Sequence, residues 1–440
     1  MPVLERSHCV GIEIDGLVDL AGIEEAALDF ARRAPGELVA SAVEALGSEL
    51  VDVIVGPCGQ PLALGDQPEA PWLCTRCASS HGFRRRGRRP GGRKLNSAVG
   101  QVHFGLAQLE CLGCERRFAP MLQVLGVAPH QRRTERLGDL AVALAVEVAY
   151  AKAARLLSDL AGVCLSARSI RRQILSVAPD RLGPECLDVP IVLLDGTGVR
   201  AGSTKLGVGL HLAIGLVARR RLGGRVAVEA RLLGATLGEG WPVMAELLAP
   251  VRPGLVIVDG EEELSGMVSE LWPNTPVQRC LFHLSKAVQK VACYTDRVPL
   301  AGAKALRERF DKLLLGAYRS GDAEASATAY DELIATFERA GAPGAADHLR
   351  IARTEAMTFL THPGAGRLLF GDKGRPELGT GVLERVMREM NRRTDVGVRW
   401  SVPGARAILM VKLGRKYRHG QWAPKPESTT PPAVRFTLVA

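Results

Sequence analysis

The sequence predicts a multidomain α/β protein whose core is interrupted by an all-α insertion. Three observations carry that expectation. Two apolar runs, VPIVLLDGTG at 189–198 and LVIVDG at 255–260, read as buried strands that each end on an aspartate followed by glycine. Two Cys-x-x-Cys pairs, Cys74/Cys77 and Cys111/Cys114, come before them. Between residues 284 and 375 the pattern turns purely helical.

The chain has 440 residues, enough for two to four domains. Its 24% charged and 47% apolar residues are an ordinary globular balance. The net charge of +10 is unevenly spread. Residues 1–70 hold 13 acids against three bases, Arg6, Arg32 and Arg33, so the rest of the chain is strongly basic. A basic body with an acidic arm fits a nucleic-acid partner better than a small-molecule enzyme. The longest apolar candidates, Leu140–Ala151 and Gly207–Ala218, are too short for a membrane span. The start, MPVLERSHCV, lacks a charged-then-apolar export signal. The ten cysteines do not form a secreted disulfide pattern, and a reducing, cytoplasmic setting is expected.

Residues 1–70 read as an acidic N-terminal segment, helical over Ile23–Arg33 and Gly36–Leu46, with a strand over Leu50–Val55. No chemistry is visible there. In residues 71–120, Cys74, Cys77, Cys111 and Cys114 supply the four thiolates that tetrahedral Zn²⁺ prefers. The 33 residues between the pairs can hold two strands, which makes this a zinc ribbon. A basic run, Arg84, Arg85, Arg86, Arg88, Arg89, Arg93 and Lys94, lies in that gap, and its first five members are candidate DNA contacts. Cys58 and His81 lack a partner at ligand spacing.

Residues 130–180 read as a helical DNA-binding domain. Helices are expected over Arg136–Val148 and Tyr150–Leu160, followed by a short turn and a helix from Ala167 to Val177 capped by Ser166. The last helix sets Arg168, Arg171 and Arg172 against Ile170 and Ile174. This is a helix-turn-helix shape, with the second helix suited to the major groove; an ordinary helical pair is the alternative.

Residues 187–283 alternate strands and helices. Strands are expected at Val189–Leu194, Gly207–Val217 and Arg225–Leu233, with a Gly223–Gly224 turn between the last two. A helix at Gly240–Leu248, a strand at Leu255–Val258, a helix at Glu262–Leu271 and a strand at Pro276–Cys280 follow. That order is the order of a ribonuclease H-like (RNase H-like) fold, in which the first and fourth strands are neighbours. Asp195 and Asp259 then stand side by side, and two carboxylates held that close favour a divalent metal between them. Residues 284–375 form the helical insertion. Residues 376–420 return to the core with helices at Gly381–Arg393 and Pro403–Lys416, and 421–440, with four prolines, form a loosely ordered tail. Glu384, in the first turn of the Gly381 helix, completes a set of three carboxylates.

These residues carry a resemblance. LLDGTGV around Asp195, VIVDG at Asp259, QRCLFH at 278–283, LERVMREMNRR around Glu384 and Arg399-Trp400-Ser401 resemble the DDE transposases of bacterial insertion sequences, in the branch related to Mutator-like elements. The resemblance spans about residues 71–415 and leaves the acidic first 70 residues uncovered. It implies a DNA transposase with two Mg²⁺ (or Mn²⁺) ions held by Asp195, Asp259 and Glu384, cutting the ends of an insertion sequence and joining them to target DNA by in-line phosphoryl transfer. It implies double-stranded DNA as partner, a homodimer or higher oligomer because two ends must meet, and a bacterial, nucleoid-associated location. Cys280 and His283 form the Cys-x-x-His signature of that branch; a structural role beside the site is favoured over a catalytic one. Arg385 and Arg388 are candidates for phosphate contacts, with a solvated helix face as the alternative. The competing readings are a catalytically silent, sequence-specific DNA-binding regulator derived from a transposase, and a nuclease that cleaves without joining.

Overall fold

The computed structural model describes residues 20–55, 74, 76–77, 82–203, 207–220, 226–320, 322–362, 380–395 and 399–417. Residues 1–19 and 56–70 of the acidic segment, the Gly223–Gly224 turn, the tail 421–440 and the side chains of Cys58 and His81 lie outside these described residues. The chain divides into two compact units, Met1–Gln173 with Thr429–Ala440, and Ile174–Ser428. The division falls inside a helix of the segment 130–180. Among the described residues, no helix is long and apolar enough to cross a membrane.

The first unit opens with a single helix, α1 (Leu20–Val55). The two helices and the strand expected over this stretch are therefore one continuous element. Pro35 sits inside it without ending it. The strand reading of Leu50–Val55 fails because Val51, Ile54 and Val55 are buried at helical spacing against Phe83, Leu109 and Phe118. Tertiary packing overrides the strand preference of β-branched residues there. Between the two cysteine pairs the chain forms four strands, not two: β1 (Phe83–Arg88), β2 (Arg93–Ser97), β3 (Gly100–Phe104) and β4 (Ala107–Cys111). The short β5 (Arg117–Phe118) follows. Strands β1, β4 and β5 make one antiparallel sheet in that order, and β2–β3 form a separate hairpin. Helices α2 (Pro120–Val124), α3 (Glu135–Glu147), α4 (Tyr150–Ala161) and α5 (Ala167–Val177) come next. Thr134 caps α3 by accepting from the Leu137 N–H, and Gly162, at φ 62°, ends α4 in the left-handed conformation.

The second unit is built on a five-stranded sheet. Its strands are β6 (Asp188–Val199), β7 (Val208–Arg220), β8 (Val226–Leu237), β9 (Arg252–Val258) and β10 (Val277–Arg279). Their order is β10-β9-β6-β7-β8, with β6–β7–β8 antiparallel and β6, β9 and β10 parallel. The parallel links are made by crossovers through α6 (Gly240–Leu248) and α7 (Glu262–Leu271). Strand β6 is longer than the run Val189–Leu194 suggested. It continues through Asp195 to Val199 because β7 stays paired with it that far, whereas its pairing with β9 ends at Leu193.

Both faces of the sheet are covered, which explains the near-continuous apolar runs. On one face Ile191, Leu193 and Ile257 pack against α13 (Gly381–Thr394) and α14 (Val402–Tyr417) through Leu383, Val386, Met390, Leu409 and Leu413. On the other, Val192, Leu194 and Val256 meet Trp241, Met244 and Val268 of α6 and α7. A separate helical core joins α8 (Leu281–Tyr294), α9 (Leu300–Ser320), α10 (Ala323–Arg339) and α11 (Pro343–Ala356) around Val288, Phe310, Tyr330 and Leu349. The buried Tyr330 hydroxyl in it is satisfied: Oη donates to the Leu349 carbonyl at 2.7 Å. Helix α11 ends at Ala356, and the short α12 (Thr358–Thr361) begins after Met357.

Candidate active site and basic surfaces

The site in the second unit begins with register. Leu193 of β6 pairs with Ile257 of β9, the last pair of that ladder, and Asp195 and Asp259 each follow two residues further on. Side chains alternate along a strand, so Asp195, inside β6, shares the face of Leu193, the face that α13 covers. Asp195 is 4% exposed, and its carboxylate accepts the Gly196 N–H at 2.8 Å. Burial raises its pKa to about 6; His283 opposes that rise, while the like charges of Asp259 and Glu384 add to it. Asp259 lies just past the end of β9 and accepts the Glu261 N–H at 2.8 Å. Its acidic neighbours point elsewhere. Glu261 accepts from Trp241 Nε1 at 3.3 Å, and Glu262 and Glu263 lie exposed in the first turn of α7.

Helix α13 brings the third carboxylate. The Glu384 N–H donates to the Thr380 carbonyl at 2.8 Å, fixing the first turn. Glu384, Arg388, Asn391, Arg392 and Asp395 fall along one side of the helix, while Leu383, Val386 and Met390 enter the core. A cleft of about 530 Å³ opens along that side, lined by Asp195, His283, Glu384, Arg388, Asn391 and Arg392 among others. Glu389, the other acid on the helix, is held by Lys412 and Lys416 of α14. Arg385 is exposed but does not line the cleft.

Cys280 and His283 sit where β10 gives way to α8. Cys280 is fully buried, and His283 Nε2 is 3.6 Å from Glu384 Oε1. Thr380, also fully buried, ties the two together. Its N–H donates to Cys280 Sγ at 3.3 Å and its Oγ1 lies 3.3 Å from His283 Nδ1. The contact with Cys280 raises the His283 pKa against the effect of burial. The Cys280 thiol is pushed up by burial, but the bonds from His283 and Thr380 leave it lowered.

Thr380, Asn391 and Arg392 were not singled out from the sequence. Asn391 and Arg392 carry a signal, since they follow Glu384 at i+7 and i+8. Thr380 carries none, because it meets Cys280 across 100 residues of chain.

The three carboxylates offer oxygen ligands only, with Asp195 buried beside two like charges. Carboxylate oxygens suit a hard divalent cation, but among the described residues only the four thiols of the first unit lie close enough together to form a metal-holding group. The four thiols of the first unit are a tighter group, with Cys74, Cys77, Cys111 and Cys114 sulfurs all within 4.8 Å of one another. Cys74–Cys114 is 3.4 Å and Cys77–Cys111 is 3.7 Å. Four sulfurs around a tetrahedral Zn²⁺ lie about 3.8 Å apart, so this set fits that ion. Burial pushes the Cys74 thiol up, yet the Cys77 and Arg76 backbone bonds leave its pKa lowered to about 6.

Most of the β1 arginines face acids. Arg84, Arg86 and Arg117 converge on Glu110, whose carboxyl the Arg86 and Arg84 bonds hold down to about 2. Arg85 pairs with Asp52 at 2.6 Å and Arg88 with Glu44 at 3.3 Å. Arg89 is exposed, as are Arg168, Arg171 and Arg172 on α5, opposite the buried Ile170 and Ile174.

A protein-family model described as "Transposase, Mutator family" matches residues 251–422. The match includes Asp259, Cys280, His283 and Glu384; Asp195 precedes it. No curated protein matches the chain.

Proposed function

We propose, from the match of residues 251–422 to the Mutator transposase family, that the chain is a transposase that binds the ends of an insertion sequence and catalyses DNA cleavage and strand transfer through Asp195, Asp259 and Glu384. The observation that carries this reading is the cleft that Asp195, His283 and Glu384 line together, with Asp259 just past the end of β9, the parallel neighbour of the strand that carries Asp195. The strand order β10-β9-β6-β7-β8, with three antiparallel strands followed by two parallel ones, supports an RNase H-like core.

The chemistry that two Mg²⁺ or Mn²⁺ ions supply at such carboxylates is activation of the attacking oxygen and stabilisation of charge on the leaving oxygen. The chain's own groups do the rest. Asp195 and Asp259 are held rigid by backbone N–H bonds from Gly196 and Glu261. Arg388 and Arg392 set two permanent cations on the cleft wall, in reach of a phosphodiester. His283, braced by Thr380, limits the orientations open to Glu384.

In the first unit, the four thiols support a structural zinc site in a zinc ribbon, and α4–α5 with its arginine face supports a helix-turn-helix that enters the major groove. Duplex DNA is the partner in this reading, bound by paired copies of the chain.

The test is a cleavage and joining assay with Mg²⁺ on the ends flanking the protein's own gene, comparing the native chain with Asp259→Asn. The native chain is expected to join ends, and the variant to bind them and stay inert. A native chain that binds but never cuts, indistinguishable from the variant, would leave only a DNA-binding regulator.

A further inference from the structure

We propose that the cleft between the β2–β3 hairpin and the loop 128–132 grips the sugar-phosphate backbone of duplex DNA, and that it does so in preference to the arginine row of β1. The inference rests on the transposase reading for its partner and adds the surface that reading leaves open.

The first ground is where charge is neutralised and where it is not. On β1, Arg85 and Arg88 pair with α1 acids, and Arg84 and Arg86 close on Glu110. Arg85 and Arg88 tie the sheet to α1, and Arg84 and Arg86 tie β1 to β4. The hairpin side is different. A cleft of about 480 Å³ is lined by Arg89, Arg93, Lys94, His130 and Arg132, and no carboxylate lines it. Arg89, Lys94 and Arg132 are exposed there, with no acidic partner among the described residues.

The second ground is rigidity. Arg93 turns inward and donates to the carbonyls of Ala128, Pro129 and Gln131, at 3.1, 2.8 and 2.5 Å. The Asn96 N–H donates to the Arg132 carbonyl and the Thr134 N–H to the Asn96 carbonyl, both at 2.9 Å. The loop that carries Arg132 is thereby stitched to the strand that carries Lys94. Gly92, at φ 56°, closes the hairpin's approach: a Cβ there would lie 2.6 Å from the Phe104 carbonyl. One arginine fixes the frame while three cations stay open on it. A fixed set of cations without acids fits phosphates, which carry no sequence information, rather than base edges.

The test is duplex binding by the full chain, followed by fluorescence anisotropy between about 50 and 200 mM salt. Two duplexes of equal length are used, one from the element's end and one scrambled. The variant is Arg89→Gln/Lys94→Gln/Arg132→Gln, with Lys94→Glu as a single-site companion, both checked for unchanged thermal unfolding. Loss of three phosphate contacts is expected to weaken binding on the order of 100-fold and to make the salt slope shallower by about 3, equally on both duplexes. Native-like affinity and slope in both variants, or a loss confined to the end sequence, overturns the proposal and leaves the transposase reading standing. A native chain that binds neither duplex overturns that reading as well.

Discussion

The imidazole Nε2 of His283 lies 3.6 Å from Glu384 Oε1, and its Nδ1 faces Thr380 Oγ1 at 3.3 Å. A buried hydroxyl behind the ring therefore sets which nitrogen faces the carboxylate. Thr380→Val keeps the shape and removes that partner. Cleavage is expected to fall about 10- to 100-fold, the usual scale for such supporting bonds, with DNA affinity unchanged. Thr380→Ser restores the hydroxyl and should recover most of the rate in single-turnover assays. If Thr380→Val cleaves at the native rate, Thr380 does not position His283.

The raised pKa of Asp195, about 6, makes stability depend on pH, and in the proposed function it makes metal binding depend on pH as well. Its ordinary value is near 4, so between roughly pH 4 and 6 the folded chain binds a proton that the unfolded chain has released. Without metal, this group's contribution to stability falls as pH rises through that window, by about 3 kcal/mol in total. Added Mg²⁺ needs the deprotonated carboxylate and should raise the melting temperature above pH 6 and have little effect at pH 5. In Asp195→Asn the pH dependence of that Mg²⁺ effect should be gone. Melting curves with and without Mg²⁺ across this range decide it.

How far the sequence led depended on the range of the contacts. The strands of the second unit were legible because both faces are buried, and runs such as Ile191–Leu194 have no other use. The adjacency of β6 and β9, the strands that lead to Asp195 and Asp259, followed from strand order alone. The first unit was harder. Val51, Ile54 and Val55 suit a strand by composition, and only their packing on Phe83 and Leu109 makes them helical. The helix face of Glu384 could have yielded Arg392 by counting, but Thr380 owes its role to Cys280, far along the chain. The acids that occupy the β1 arginines, Glu44 and Asp52, come from a helix with no local link to that strand.

The thiol cluster predicts bound zinc. Purified protein should carry one zinc per chain, removed by chelators or by Cys111→Ser. Cys74, Cys111 and the buried Phe83, Leu109 and Phe118 share one small core, so metal loss should lower the first thermal transition and expose thiols to a maleimide probe. The second unit has its own core, and its unfolding should be unaffected. Protein that is fully folded, zinc-free and unreactive at these thiols would exclude the site.

Gly260 links the fold to the site through Arg279. It follows Asp259 at φ 90°, and a Cβ there would lie 1.4 Å from the Arg279 guanidinium carbon. Arg279, 13% exposed at its side chain, packs over the glycine and reaches Glu355 at 3.5 Å. Gly260→Ala thus imposes two costs, a left-handed backbone on a residue with a Cβ and displacement of a buried arginine. The first is about 1–2 kcal/mol. The second also moves the turn in which the Glu261 N–H holds the Asp259 carboxylate. Gly260→Ala should lower the urea midpoint and depress cleavage more than DNA binding. Adding Arg279→Ala should relieve the clash but leave the backbone strain, so the double variant should lose less than the two single effects combined. Additive losses would mean that the arginine and the glycine act independently, and native stability in Gly260→Ala would mean that the turn bends freely.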